Sequence, residues 1–371
     1  MKHTLLLTLL LTSMSLAQTN YVSLHGAHIA PFTSWATAAT NIQDAVDVAQ
    51  DGDLVLVSNG LYNSGSRVTP NAHLHSRVVI TNAITVQSLN GPDVTVIVGA
   101  ADPETGARGS NAVRGVCIGS GASMFGFTVS NGYVSDDGNA ADLFGAGVFV
   151  FDSSSLVGCR ISHNYGGFAA GLCCVGSVLV ENCVFSHNLG FMLAGCYANT
   201  GYFRNALVVS NGYPHQWLPM GLGPDYGAIE SSTICDNTGS AIDIGPTVTV
   251  ANCTIWGHHY QIYESGTHRP DRLTYNSCIQ DWTRLDHGTI SNDPQFVDAV
   301  AGDFRLLDTS PCINAGTNMS WMWTATDLDG NPRIQHGVVD MGCYESAVPE
   351  PGAIALAALV AMCGRRKRHE A

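Results

Sequence analysis

Charge is scarce in this 371-residue chain, where Asp, Glu, Lys and Arg together make up 12%. Lysine stands only at Lys2 and Lys367, so any mechanism needing a lysine side chain has none to draw on between the two ends. The shortage of Lys and Glu beside 40 glycines argues against helix bundles and for short strands joined by tight turns. No apolar run reaches the ~20 residues that a spanning helix needs. No Cys-x-x-Cys pair occurs, and the adjacent Cys173 and Cys174 lack zinc-ligand spacing, which argues against a metal knuckle. Formal charge is -14 and part of the positive charge sits at the termini, so the body repels nucleic acid and anionic lipid.

What is present describes an exported, globular, largely β chain. Apolar residues make up 45%, enough for a substantial core in one large all-β domain or two ordinary ones. The opening "MKHTLLLTLLLTSMSLAQTN" has a basic start, an apolar run and a small-residue exit, and reads as a secretory signal over 1–17, cut after Ala17. Twelve cysteines in an exported protein suggest disulfides. Yet Cys159, Cys183 and Cys253 hold the same place in successive repeats, which also suits, and there favours, free thiols stacked as small buried hydrophobes.

At the other end, over 347–371, Pro349-Glu350-Pro351 is followed by an apolar stretch from Ala353 to Cys363 and a basic cluster that includes Arg365 and Arg366. This order resembles the PEP-CTERM sorting signal. The resemblance implies recognition by an exosortase-type enzyme, transient membrane insertion of the tail, and delivery to the cell surface or extracellular matrix of a Gram-negative bacterium.

The middle of the chain is periodic. "CRISHNYG" at Cys159 returns as "CVFSHNLG" at Cys183, and Ile161, Phe185, Val208, Ile234 and Ile255 follow at spacings of 24, 23, 26 and 21. Asn164, Asn188, Asn211 and Asn237 recur just after these strands, with Asn131 in an earlier unit. A coil in which each strand pairs with its equivalent one rung away explains this period, because backbone donors are satisfied between repeats. Asn at a stacked turn tolerates a left-handed backbone and passes amide hydrogen bonds along the column. Before the repeats, "TNIQDAVDVAQDGD" predicts one amphipathic helix with Ile42, Ala45, Val46 and Ala49 on one face and a capping box of Thr40 and Gln43.

The pattern resembles the right-handed parallel β-helix, or pectin-lyase-like, superfamily. The fold class expected is therefore all-β, a right-handed single-stranded parallel β-helix over 18–285 with an N-terminal amphipathic capping helix. From 286 to 346, "SPCINAG" and "DMGCYE" lie in runs that look like the choice-of-anchor Q domain of exported β-helix proteins. That resemblance points to Cys312 and Cys343 as a disulfide pair. Asp327, Asp329 and Asn331 could offer oxygens to calcium, or form an Asp- and Asn-capped turn. No other cofactor is expected.

His163, His187, Ser210 and Asp236 stack in one column, but Ser would lie between His and Asp, the wrong order for a catalytic relay. Longer loops that interrupt the repeat offer better candidates. Asp225, Glu230, Asp236, Asp243, His258 and Arg269 supply acids and bases for glycosidic chemistry, and Trp217, Tyr226 and Tyr260 supply rings that stack on sugars. Each residue has an ordinary alternative as a loop seal, turn cap or surface pair. The polygalacturonase-like signatures Asn-Thr-Asp, Gly-Asp-Asp, Gly-His-Gly and Arg-Ile-Lys are absent, and "RPDR" at Arg269 lacks the pattern around the basic residue of pectate lyases. Two functions remain: a surface or matrix protein that binds extracellular polysaccharide in an adhesion role, or a polysaccharide lyase or glycoside hydrolase acting on such a glycan.

Overall fold

The computed structural model describes residues 17–119, 121–136, 138, 140–213, 219–245, 247–264, 274–285 and 287–347. Over the repeats the chain winds as a right-handed parallel β-helix. One rung shows the plan: Val148–Val150 lies in a first sheet, Ser154–Val157 in a second and Arg160–Ser162 in a third. The next rung repeats it in register, with Val148 beside Leu172, Leu156 beside Val180 and Ile161 beside Phe185. Three long strands, Leu172–Glu181, Cys196–Arg204 and Pro219–Glu230, run through the corner and join the first two sheets.

Alternation along each strand decides what faces inwards. Val148, Val150, Leu156, Ile161, Phe185, Val208, Ile234 and Ile255 fill one continuous core, while Phe149 between two inward valines points out. Each such side chain, fully buried, contributes about 1.5–3 kcal/mol. Cys159, Cys183 and Cys253 belong to the same core as free thiols, and the backbone NH of Cys159 donates to the Cys183 sulfur at 3.4 Å.

Both ends of the core are covered. The helix Ile42–Val48 buries Ile42, Ala45 and Val46 over the first rung, as its periodicity predicts. Its cap is a correction: Asn41, not Thr40, is the N-cap, accepting from the Asp44 NH at 3.0 Å. Gln43 turns inwards instead of closing a capping box. Its amide accepts from the Val79 NH at 2.6 Å and donates to the Val79 carbonyl at 3.1 Å. One side chain thus replaces a missing strand at an edge that would otherwise be open. At the far end Trp282 packs against the core.

The C-terminal segment runs back along the third sheet. It contains an antiparallel pair, Phe296–Asp298 with Asp303–Leu306. Phe304 and Cys343 pack on the outward side chains of Leu207, Val209 and Cys235. Asn252 fixes both backbone polar groups of Thr317, accepting from its NH at 2.8 Å and donating to its carbonyl at 2.9 Å. The pairing expected here is not made: Cys312 and Cys343 are buried in different apolar clusters.

Candidate functional site

The repeated Ser-His-Asn triplet resolves into two columns with different jobs. Asn131, His163, His187, Ser210 and Asp236 have φ between 50° and 57°, so they form the left-handed bend that ends five successive third-sheet strands, from Thr128–Ser130 to Thr233–Cys235. Gly257 continues this column with φ of 79° and lies against the Asp236 carboxylate. The imidazoles of His163 and His187 stack with centroids 5.1 Å apart, and partial burial with the neighbouring ring holds His163 below the usual histidine range. Asn131 therefore belongs with the histidines and not with the asparagine ladder, whose members do not take up the left-handed backbone expected of them.

The ladder lies one residue further on and points inwards. Gly132 NH donates to Asn164 Oδ1 at 2.9 Å, Asn164 Nδ2 to Asn188 Oδ1 at 2.9 Å, Asn188 Nδ2 to Asn211 Oδ1 at 3.0 Å, and Asn211 Nδ2 to Asn237 Oδ1 at 2.8 Å. Its last partner corrects the reading of His258 as an acid or base. Asn237 Nδ2 lies 3.1 Å from His258 Nε2, so that nitrogen accepts and the ring proton sits on Nδ1, facing Gln261 Oε1 at 3.3 Å. Burial pushes the His258 pKa down to about 4, which keeps the ring neutral. His258 terminates the ladder.

Two other expected residues are tied into the scaffold. Glu230 pairs with Arg204 at 3.0 Å, and Arg204 lies over the Trp321 ring of the C-terminal segment. Asp327 spends its oxygens on a turn: Oδ1 accepts from the NH groups of Asp329 and Asn331, and Oδ2 from Asn331 Nδ2 and the Glu345 NH. Asp329 in turn holds Arg305 through two contacts of 2.6 and 2.8 Å. Among the described residues no group of three or more His, Cys, Asp and Glu is arranged to hold a metal ion.

The outward face of the first sheet is different. Its facing positions run from Val79 through Cys117, Phe149 and Cys173 to Tyr197, and the first four are buried beneath Phe144, Phe168 and Tyr197. Beyond Tyr197 come Gly223 and then Asp243. Gly223 has no side chain because Leu193 reaches over it: a Cβ there would stand 2.6 Å from the leucine. The Tyr197 hydroxyl donates to Asp225 Oδ2 at 2.6 Å, and burial together with that carboxylate raises the phenol pKa well above its ordinary value. The register places Asp225 two residues along the strand from Gly223, on the same face as Asp243 one rung away. Rung spacing and strand rise put the two Cα atoms about 8 Å apart. Phe191 and Tyr213 make a tilted ring pair at 5.7 Å on loops beside this face, with the Arg108 guanidinium over Phe191.

The structure thus brings together Asp225 and Asp243, separates Glu230, Asp236 and His258 into structural roles, and adds Tyr197. Tyr226 and Tyr260 are about half exposed, and Tyr260 meets His259 edge-on. Trp217, Arg269 and the sorting residues Pro349, Glu350, Pro351, Arg365 and Arg366 lie outside the described residues. A separate cleft of about 450 Å³ opens between the coil and the C-terminal segment, lined by Asp93, Arg160, Arg305, Asp329 and Tyr344. Its charges are already paired, Arg160 with Asp93 and Arg305 with Asp329.

No family model matches the sequence, and no curated protein matches it. Among solved structures, the fold is similar to that of pectate lyase Pel9A, with a TM-score of 0.53 and 16% identity over 90% of this chain and 97% of that one. A pectin methylesterase variant in complex with a hexasaccharide aligns with 78% of this chain and 96% of its own, at 14% identity and a TM-score of 0.41. The first likeness concerns the fold.

Proposed function

We propose that this protein is an exported β-helix that binds an extracellular polysaccharide along the outward face of its first sheet, in a matrix or adhesion role at the cell surface. The observation that carries this reading is the Tyr197 hydroxyl on Asp225, with Asp243 on the same face one rung away. Tyr197, Asp225 and Asp243 are the partly exposed groups of this face, and fixed hydrogen-bonding groups beside an aromatic ring suit a sugar, whose ring faces are apolar and whose edge carries hydroxyls. The chain's resemblance in fold to a pectate lyase supports the polysaccharide class. Export rests on the leader and on the Pro-Glu-Pro tail, which an exosortase-type enzyme would process after transient membrane insertion.

A second reading has one observation in its favour. Two carboxylates on one face with Cα atoms about 8 Å apart can bring their carboxyl groups into the roughly 5–9.5 Å range used in glycosidic bond cleavage. In that reading Asp225 and Asp243 act as general acid and base on the same glycan. No catalytic lysine takes part, since the body of the chain has none.

One experiment addresses both. The chain and its Tyr197→Phe and Asp225→Asn variants are titrated with uronic-acid and neutral glycans, and released reducing ends and unsaturated products are followed. Binding that weakens about ten-fold or more in both variants, with thermal stability kept, is the expected result. Turnover that Asp225→Asn abolishes would favour the enzyme. Binding unchanged by either variant would remove the first-sheet face from consideration.

A further inference from the structure

We propose that Cys278 and Cys312 form a disulfide that fastens the C-terminal segment to the last rung of the coil. Cys278 stands in the final third-sheet strand, paired in register with Thr254. Cys312 comes from the C-terminal segment, where its carbonyl accepts from the Met341 NH at 3.0 Å and its own NH donates to Ser310 Oγ at 3.1 Å. Both are buried thiols of one apolar cluster with Met341, where the Cys278 thiol donates to the Asn292 carbonyl at 3.1 Å. Two thiols from segments far apart in sequence thus meet where no water reaches.

Two other pairings are excluded on geometry. Cys159 and Cys183 are in-register neighbours of the coil, so their Cα–Cβ bonds run parallel at the rung spacing of about 4.8 Å. A disulfide needs Cβ atoms roughly 3.5–4.5 Å apart and turned towards each other. Cys343, the partner that the sequence motifs suggested for Cys312, belongs to a different cluster, with Leu207, Cys235 and Phe304, and its NH is fixed by Thr233 Oγ1 at 3.1 Å.

The bond forms by thiol–disulfide exchange with an oxidant of the disulfide class. The Cys278 thiolate attacks one sulfur of that oxidant and expels a thiolate. The Cys312 thiolate then attacks the Cys278 sulfur and expels the second. Two electrons pass to the oxidant, and the two thiol protons end on its released thiols. The buried thiols are closed to this chemistry once the segment is seated, so exchange takes place while it docks. The bond closes a loop of roughly 34 residues.

The test uses the full chain, unfolded and reduced, then refolded with glutathione disulfide, alkylated, digested and mapped without reduction. One cross-linked peptide joining Cys278 to Cys312 is expected, with Cys159, Cys183 and Cys253 alkylated only after unfolding. Reduction should then lower the melting temperature by roughly 5–10 °C in the parent and leave Cys312→Ala unchanged. Recovery of Cys278 and Cys312 as free thiols from refolded protein, or of Cys312 joined to Cys343 or any other cysteine, would overturn the assignment. The map is read on the parent chain, so it stands even where the variant fails to fold.

Discussion

The turn between the third and first sheets presents the same chemistry on rung after rung, whereas the outward face of the first sheet changes as it passes along the coil. In the turn, Asn164, Asn188, Asn211 and Asn237 each hand an amide hydrogen to the next residue in the ladder. On the face, a buried apolar row ends at the partly exposed Tyr197, then comes a glycine, then an acid. Repetition satisfies the backbone, and departure from it creates a place where a ligand is recognised. The largest expected effect therefore lies in the turn. Asn188→Ala removes the acceptor of both the Asn164 NH and its side-chain amide, which are buried. Two stranded donors cost about 4 kcal/mol together, and the melting temperature should fall by roughly 10 °C. Stability within about 1 kcal/mol of the parent in denaturant unfolding would show that the ladder is dispensable.

The second effect separates the end of the ladder from its middle by pH. The folded pKa of His258 is depressed from 6.5 to about 4, so between those values the unfolded chain binds the proton and the folded chain does not. This contribution to stability is complete above pH 6.5, falls as the pH drops towards 4, and amounts to about 3 kcal/mol. His258→Asn keeps an acceptor for Asn237 and has no proton to gain. Urea midpoints measured from pH 7.5 to 4 should fall less steeply in this variant than in the parent. Parallel slopes would show that His258 does not govern the acid response.

Much of this division was written in the spacing. The residues Ile161, Phe185, Val208, Ile234 and Ile255 are inward neighbours in the third sheet, and the helix at Ile42 closes the first rung as its apolar face requires. The same spacing held the role of His258, since the step of 21 that carries Ile234 to Ile255 carries Asn237 to His258. A histidine beside another in "WGHH" draws attention as chemistry before it is counted as a rung position. The one-residue offset between left-handed bend and ladder was hidden because Asn suits both places. Tyr197 was out of reach for another reason. It lies in "CYANTGYF", a strand that turns the corner, and its own pairing with Leu172–Glu181 shifts register between Cys174 and Ser177, so one alternation does not run through the whole strand. Gln43 was misplaced because its role depends on Val79, 36 residues away.

The smallest expected effect concerns the most conspicuous repeat. His163 and His187 present stacked rings, and a pair of imidazoles at 5.1 Å invites a reading as a metal or acid–base site. Their backbones supply the argument against it. Both residues occupy the left-handed bend that Asn131, Ser210, Asp236 and Gly257 occupy on other rungs, so side chains of quite different chemistry serve the same position. The buried hydrogen bonds at this turn belong to the asparagines that follow. Replacing both histidines by alanine removes one stacked contact and leaves the ladder whole, so stability should change by no more than about 1 kcal/mol. Glycan binding on the first-sheet face should be unaffected. A loss of binding with the melting temperature preserved would move recognition from the changing face to the repeating turn and reverse the division between the two regions.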